Sequence, residues 1–312
     1  VHTLVQQGVD FIKVQSVLDR EAYFAIAAAA KRERIAFVGH VPDRVTAVEA
    51  SEAGQKSIEH LTGVLRACAK DEPRLMREQR QNGVRKETEA QSHGRELAWE
   101  KELLQTYSAQ KAGELFEKFA QNQTGQVPTL VLLQRLAFAT RHSMEFDGDL
   151  RAKYVPHSLR AKWQAAADER SKTMRGSEEA LNQALLRKSM QVVSRMRAAG
   201  VLVLPGTDTG APVLFPGFAL HDELLLLVRA GLTPMQALQA ATKAAAEFLD
   251  KGGEQGTVAA GKFADLVLLD ANPLDDISNT GKIRAVVLRG KFLDRIALND
   301  ILSSVEKFAA TN

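Results

Sequence analysis

Four polar residues sit in or at the end of short apolar runs: Lys13 within FIKV, His40 closing IAFVGH, His60 closing KSIEH and Asp208 closing VLVLPGTD. If these runs are strands of one parallel sheet, their C-terminal ends share an edge, and that is where catalytic side chains of such sheets collect. Taken singly, a strand-end histidine reads as a hydrogen-bonded packing residue and a strand-end aspartate as a helix cap. Together, two imidazoles, a carboxylate and a lysine form a donor set suited to a divalent ion of the zinc type. Lys13 follows Phe11 and Ile12 in a strand expected to be buried, where a free ammonium is costly. Cys68 is the single cysteine, so an internal disulfide and a thiolate cluster are excluded and any metal must be held by nitrogen and oxygen.

The elements that must position these residues are legible as an alternation. Residues 9–14, 35–40 and 56–60 are short β-branched runs separated by EAYFAIAAAAKRER and PDRVTAVEASEAG, the pattern of consecutive βα units around a parallel sheet. Pro42 suits the first turn of the second helix and Gly54 its end. Further strands are expected at PTLVLL (128–133) and VLVLPGTD (201–208). Residues 66–126, dense in Lys, Arg, Glu and Gln, read as a helical insertion, a solvated excursion in preference to a lid. A second charged helical tract is expected over 149–199. Thr233 and Pro234 predict the N-cap and first position of a helix through MQALQAATKAAAEFL. GTVAAGKFADLVLLDANPL and IRAVVLRGKFL then alternate and are punctuated by glycine, which predicts a small antiparallel layer.

The 312 residues are 45% hydrophobic and 25% charged, enough to bury a large core. A net charge of +3 on 41 basic and 38 acidic residues creates no bulk field toward nucleic acid or an anionic membrane. No run approaches the ~20 apolar residues of a membrane helix. Charge therefore says little about partners: nucleic acid and membrane are not expected, and homo-oligomerisation is left open. The chain starts at Val1 without methionine, so an upstream segment is expected and localisation is undetermined.

FIKV, VGH, SIEHL and GTDTG, in that order and followed by HDELLLLVRAGLTPMQALQAAT and GTVAAGKFADLVLLDANPL, resemble the amidohydrolase superfamily, in particular its imidazolonepropionase-like and prolidase-like branch. The resemblance implies an α/β fold, a partial TIM (β/α)8 barrel holding strands four to eight, with a helical insertion and the C-terminal part of a composite β-sandwich. The implied divisions are 1–65 for barrel strands four to six, 66–126 for the insertion, 127–255 for the rest of the barrel, and 256–312 for the sandwich portion and a C-terminal helix. By resemblance Lys13 would be a carboxylated lysine bridging two metals, His40 and His60 would bind the second, and Asp208 would bind the first and shuttle the proton. The implied cofactor is Zn2+, two ions in the complete enzyme, and the implied partner is a small-molecule or short-peptide substrate. Gly261, Lys262, Ala264, Asp265 and His221 fall at structural positions.

The implied activity is hydrolysis of an amide-like or peptide C–N bond by metal-activated hydroxide, with Asp208 taking and returning the proton. Gln15, Ser16, Asp43, Thr62, Gln134 and Arg135 are the loop candidates for substrate contact, and Arg135 could clamp a carboxylate through its planar fork. One departure stands out: the histidines are 2, 40, 60, 93, 142, 157 and 221, so the superfamily's His-x-His pair is absent. The expectation is that strands one to three lie upstream and that this chain alone is inactive. Two alternatives stay open, a mononuclear deaminase or cyclic-amidine hydrolase of the imidazolonepropionase type, and a non-catalytic remnant acting as a binding module.

Overall fold

In the computed structural model, β-branched runs alternating with alanine-rich helical runs build a parallel sheet. The structure describes residues 1–82, 88–138, 148–174 and 176–312. Residues 83–87 of the expected insertion, and 139–147 and 175 further on, lie outside the described residues. The elements in chain order are α1 His2–Gln6, β1 Phe11–Val14, α2 Arg20–Glu33, β2 Ala36–Gly39, α3 Ala47–Glu52, β3 Ser57–Glu59, α4 Val64–Ala67, α5 Glu72–Asn82, α6 Glu89–Thr106, α7 Ala109–Gln121 and β4 Gly125–Val127. They continue with α8 Leu130–Ala137, α9 His157–Thr173, α10 Gly176–Ala198, α11 Ala219–Arg229, α12 Pro234–Gln239, α13 Ala245–Phe248, β5 Leu266–Leu269, β6 Ile283–Leu288, β7 Lys291–Leu293 and α14 Arg295–Thr311. Two compact units result, Val1–Pro128 with Ala184–Val203, and Thr129–Gln183 with Leu204–Asn312.

The first unit carries a four-stranded sheet in the order β1-β2-β3-β4, every pair parallel. Local chemistry sets the helices that cross between its strands. Asp19 caps α2 by accepting from the Ala22 N–H, and Arg34 closes that helix in the left-handed region at φ 56°. Thr46 and Glu49 form a capping box at the start of α3, so the helix begins after Pro42, which was expected inside its first turn. Arg20 of α2 donates to Glu49 at 2.9 Å and 2.5 Å, tying these two helices together and, with the Thr46 bonds, holding the Glu49 carboxyl down at about 2.

The stretch expected as one insertion is helical but not uniform. Ser108 caps α7, and α7 packs on α3 and leads directly into β4, so the end of that stretch belongs to the βα alternation. Ahead of it, Ala69, Leu75 and Leu103 form a small core with Leu65 and Trp99. The buried Arg66 guanidinium ties α5 back to the loop after β2, donating to the Asp43 and Val45 carbonyls and to Gln79.

Two expected strands are corrected. PTLVLL is helical: Gly125–Val127 takes the place beside β3, and Pro128, which has no N–H, ends that ladder. VLVLPGTD contributes only an isolated parallel bridge, Gln126 with Val203, before the backbone becomes irregular.

In the second unit the apolar run after Pro128 becomes α8, whose N-terminal Val131 N–H is bonded at 2.7 Å by the buried Glu223 carboxylate of α11. Thr233 caps α12 as expected, with Gln236 completing a capping box. The single helix expected there is interrupted by a π-helical turn, Ala240–Ala244, between α12 and α13. The Gly-punctuated region forms an antiparallel sheet ordered β5-β6-β7. Arg289 and Gly290, both at positive φ, make the two-residue turn of its β6–β7 hairpin. Among the positions read as structural, Lys262 donates to the Gly252 carbonyl at 2.6 Å, Asp265 accepts from the Arg289 N–H at 2.6 Å, and His221 pairs with the Thr280 hydroxyl at 2.9 Å.

Candidate metal centre

Register decides which side chains meet at the end of the parallel sheet. Lys13 lies opposite Val38, and Val38 opposite Ser57. Because strand side chains alternate, His40, two residues beyond Val38, and Glu59, two beyond Ser57, share the face of Lys13. His60 should then point to the other face. It does not continue the strand: His60 and Leu61 both adopt the left-handed conformation, at φ 56° and 55°, and the chain turns so that the His40 and His60 rings meet edge to face at 4.9 Å.

The ends of β2 and β3 are pinned from below and above. The buried Gln55 amide donates to the Gly39 and Ser57 carbonyls, each at 2.9 Å, and accepts from the Tyr23 hydroxyl at 2.6 Å. Thr62 accepts from the Val41 N–H and donates to the Glu59 carbonyl, linking the two loops. Gly39, at φ 119°, lets β2 run against β1: a Cβ there would stand 2.3 Å from the Val14 carbonyl oxygen. Next to it, the His40 N–H extends the ladder to that same carbonyl at 3.0 Å.

Around the histidines the polar contacts are short. Ser16 Oγ lies 2.7 Å from His40 Nδ1, which orients the ring. Lys13 Nζ is 2.7 Å from Glu59 Oε2, and His60 Nε2 is 3.8 Å from the same oxygen. One donor atom each from His40, Glu59 and His60 lies within 4.8 Å of the others. Two imidazole nitrogens and a carboxylate oxygen so placed match the donor chemistry of a zinc-type ion.

The structure thus brings Lys13, His40 and His60 together. In this chain β1 is the edge strand of the sheet, and there the Lys13 side chain is 41% exposed on the same face as the exposed Phe11. Asp208 belongs to the second unit, at φ 52° in the irregular segment after Val203, where its carbonyl accepts from the Ala211 N–H. Arg135, on α8 in the second unit, is largely buried, and that desolvation lowers its pKa. Its neighbour Asp222 Oδ2 is 3.7 Å away and is held by Arg151 at 2.7 Å. Of the loop candidates, Ser16 serves His40, Thr62 serves the backbone, and Asp43 accepts from Gln79 at 2.8 Å.

Sequence reasoning passed over Glu59. It sits beside His60 in KSIEH, but period-two alternation assigns the two residues to opposite faces, and nothing in the residue types announces the left-handed turn that reunites them.

Residues 4–293 match the Amidohydrolase family. The chain belongs to that family. It is 35% identical over 113 residues to an imidazolonepropionase of Geobacillus sp. (strain WCH70), a match spanning 28% of this chain and 27% of the relative. Among solved structures it is similar to a bottromycin amidohydrolase, with a TM-score of 0.75 at 24% identity, covering 98% of this chain and 60% of the other. It is also similar to a Xaa-Pro dipeptidase crystallised with methionine in its active site, at 0.57 and 17% identity over 94% of this chain and 56% of that one. A putative prolidase from Bifidobacterium longum gives 0.56 and 20% identity over 98% and 62%. The chain therefore spans about 60% of the length of the amidohydrolase and prolidase structures it matches, all of which share with it an α/β fold of parallel sheet and helices.

Proposed function

We propose that this amidohydrolase-family chain carries part of a metal-dependent hydrolase of amide-like or peptide C–N bonds, within a partial (β/α)8 barrel accompanied by part of a β-sandwich. The observation that carries the reading is the convergence of Lys13, His40, Glu59 and His60 at the C-terminal end of one parallel sheet. His40 and His60 would hold a divalent ion, with Asp208 as a further candidate ligand and Lys13 as one only in its carbamate form. Such an ion supplies Lewis acidity and lowers the pKa of water from 15.7 toward about 7.

The chain's own residues would do the rest. Ser16 fixes the His40 ring so that one nitrogen is committed to the hydroxyl and the other is oriented. Asp208 would take a proton from the attacking water and return it to the leaving amine. Arg135, with Asp222 Oδ2 taken by Arg151, is the candidate to grip a substrate carboxylate, as a short peptide or N-acylated amino acid would offer.

A one-ion site of the imidazolonepropionase type is favoured by a specific observation. Lys13 Nζ stands 2.7 Å from Glu59 Oε2, a contact that suits a charged ammonium, whereas a carbamate there would set two anions side by side. Metal content of the purified chain, measured with and without added bicarbonate, separates the forms. Two ions per chain only with bicarbonate supports the carbamate, one ion regardless supports the single site, and none overturns the metal-centre reading. In the complete enzyme, Asp208→Asn should abolish hydrolysis of a dipeptide and N-acyl amino acid panel while leaving the circular dichroism spectrum unchanged; retained turnover removes Asp208 from the proton path.

A further inference from the structure

We infer that Glu59 is the third donor of the His40–His60 site, and that the Lys13 ammonium is the counter-ion which a bound cation displaces from it. This rests on the one-ion form of the proposed reading and adds to it a ligand and a competitor.

Three features of the geometry converge. Glu59 shares its sheet face with Lys13 and His40 by register, so its carboxylate needs no rearrangement to face the site. His60 reaches the same place only because His60 and Leu61 are both held at positive φ, a backbone cost of about 1–2 kcal/mol each that the burial of Leu61 and the Thr62 bonds offset. Glu59 Oε2 is the shared atom, 2.7 Å from Lys13 Nζ and 3.8 Å from His60 Nε2.

Side-chain freedom decides which of the two partners moves. The Glu59 side chain is 16% exposed and its backbone carbonyl is tied to Thr62, so its carboxylate has little freedom to leave. Lys13 has a flexible four-carbon stem, so its ammonium can leave Glu59 Oε2 while the carboxylate stays in place. A cation entering between the imidazoles and Glu59 competes with that ammonium for one carboxylate. Glu59 is thereby kept charge-compensated until a cation arrives, and an entering cation must displace a contact of 2.7 Å.

The test is a chelator-competition titration of Zn2+ against the full chain at fixed pH in bicarbonate-free buffer, with Co2+ absorption spectra as a second readout. Four variants are compared, Glu59→Gln, Lys13→Met, His40→Ala and His60→Ala, each checked by circular dichroism. Glu59→Gln should weaken Zn2+ binding at least about tenfold, the lower end of what losing even an outer-shell partner costs, and change the Co2+ spectrum. Lys13→Met should bind Zn2+ about two- to fivefold more tightly, the worth of a partly exposed ion pair.

Wild-type affinity in Glu59→Gln, with binding lost in both histidine variants, overturns the role of Glu59 and leaves the metal-centre reading standing. Wild-type affinity in all four variants overturns both. Weaker binding in Lys13→Met overturns the counter-ion role.

Discussion

Glu223 is the most heavily perturbed carboxyl in the second unit and gives a prediction with a definite sign. Its side chain is completely buried, one oxygen accepts from the Val131 N–H at 2.7 Å, and the other has no hydrogen-bond partner. Burial lifts its pKa from 4.5 to about 8, against the pull of the backbone N–H groups of Val131 and Leu130. Between those two values the folded chain holds a proton that the unfolded chain has released, so stability falls as pH rises from about 4.5 to about 8. At about 1.4 kcal/mol per tenfold, the loss between pH 5 and pH 8 is about 3 kcal/mol.

Glu223→Gln removes the titration while keeping an oxygen for Val131, at a constant cost of about 1–3 kcal/mol for an amide N–H2 placed where no acceptor stands. Urea unfolding of both proteins at pH 5, 6, 7 and 8 should show the wild type losing about 3 kcal/mol relative to the variant across the series. His221, whose pKa burial lowers, gives the opposite slope, gaining stability as pH rises through its own range. It contributes equally to both proteins and cancels in the difference. Parallel pH profiles for wild type and variant would refute the assignment of a raised pKa to Glu223.

Further outcomes follow from the first unit. Gly39→Ala should destabilise the chain by about 2–4 kcal/mol, the sum of left-handed strain and overpacking against the Val14 carbonyl, read as a lower denaturant midpoint together with weaker metal binding at the adjacent His40. Ser16→Ala should leave the unfolding midpoint nearly unchanged and weaken Zn2+ binding about 10–100-fold, because the hydroxyl orients the His40 ring; equal affinity in the two proteins would remove that role. Cys68 is buried and its thiol is pushed up to about 12, so a thiol-disulfide reagent at pH 8 should label it only after unfolding, as absorbance of the released thiolate would register.

Local signals in the sequence carried far where the chemistry was local. Thr233 followed by Pro234 and Gln236 specified a helix start, and the structure has that cap and capping box. The runs around Lys13, His40 and His60 specified short strands between alanine-rich helices, and all three are parallel neighbours. Where two signals competed, the sequence was ambiguous. PTLVLL is apolar enough for a strand, but the partner edge of β3 was filled by Gly125–Val127, most of which reads in the sequence as the end of the 66–126 helical insertion. Pro42 marked a helix start less strongly than the Thr46–Glu49 capping box did.

By itself, then, the sequence determined that a parallel α/β sheet would deliver Lys13, His40 and His60 to one edge, because strand ends and residue types are written in the order of the chain. Tertiary structure alone decided that Lys13 stands in water against Glu59, and that Glu59 and His60 face the same way. Exposure depends on what covers a strand, and the left-handed turn at His60 and Leu61 depends on contacts across β2 and β3 that no local pattern encodes.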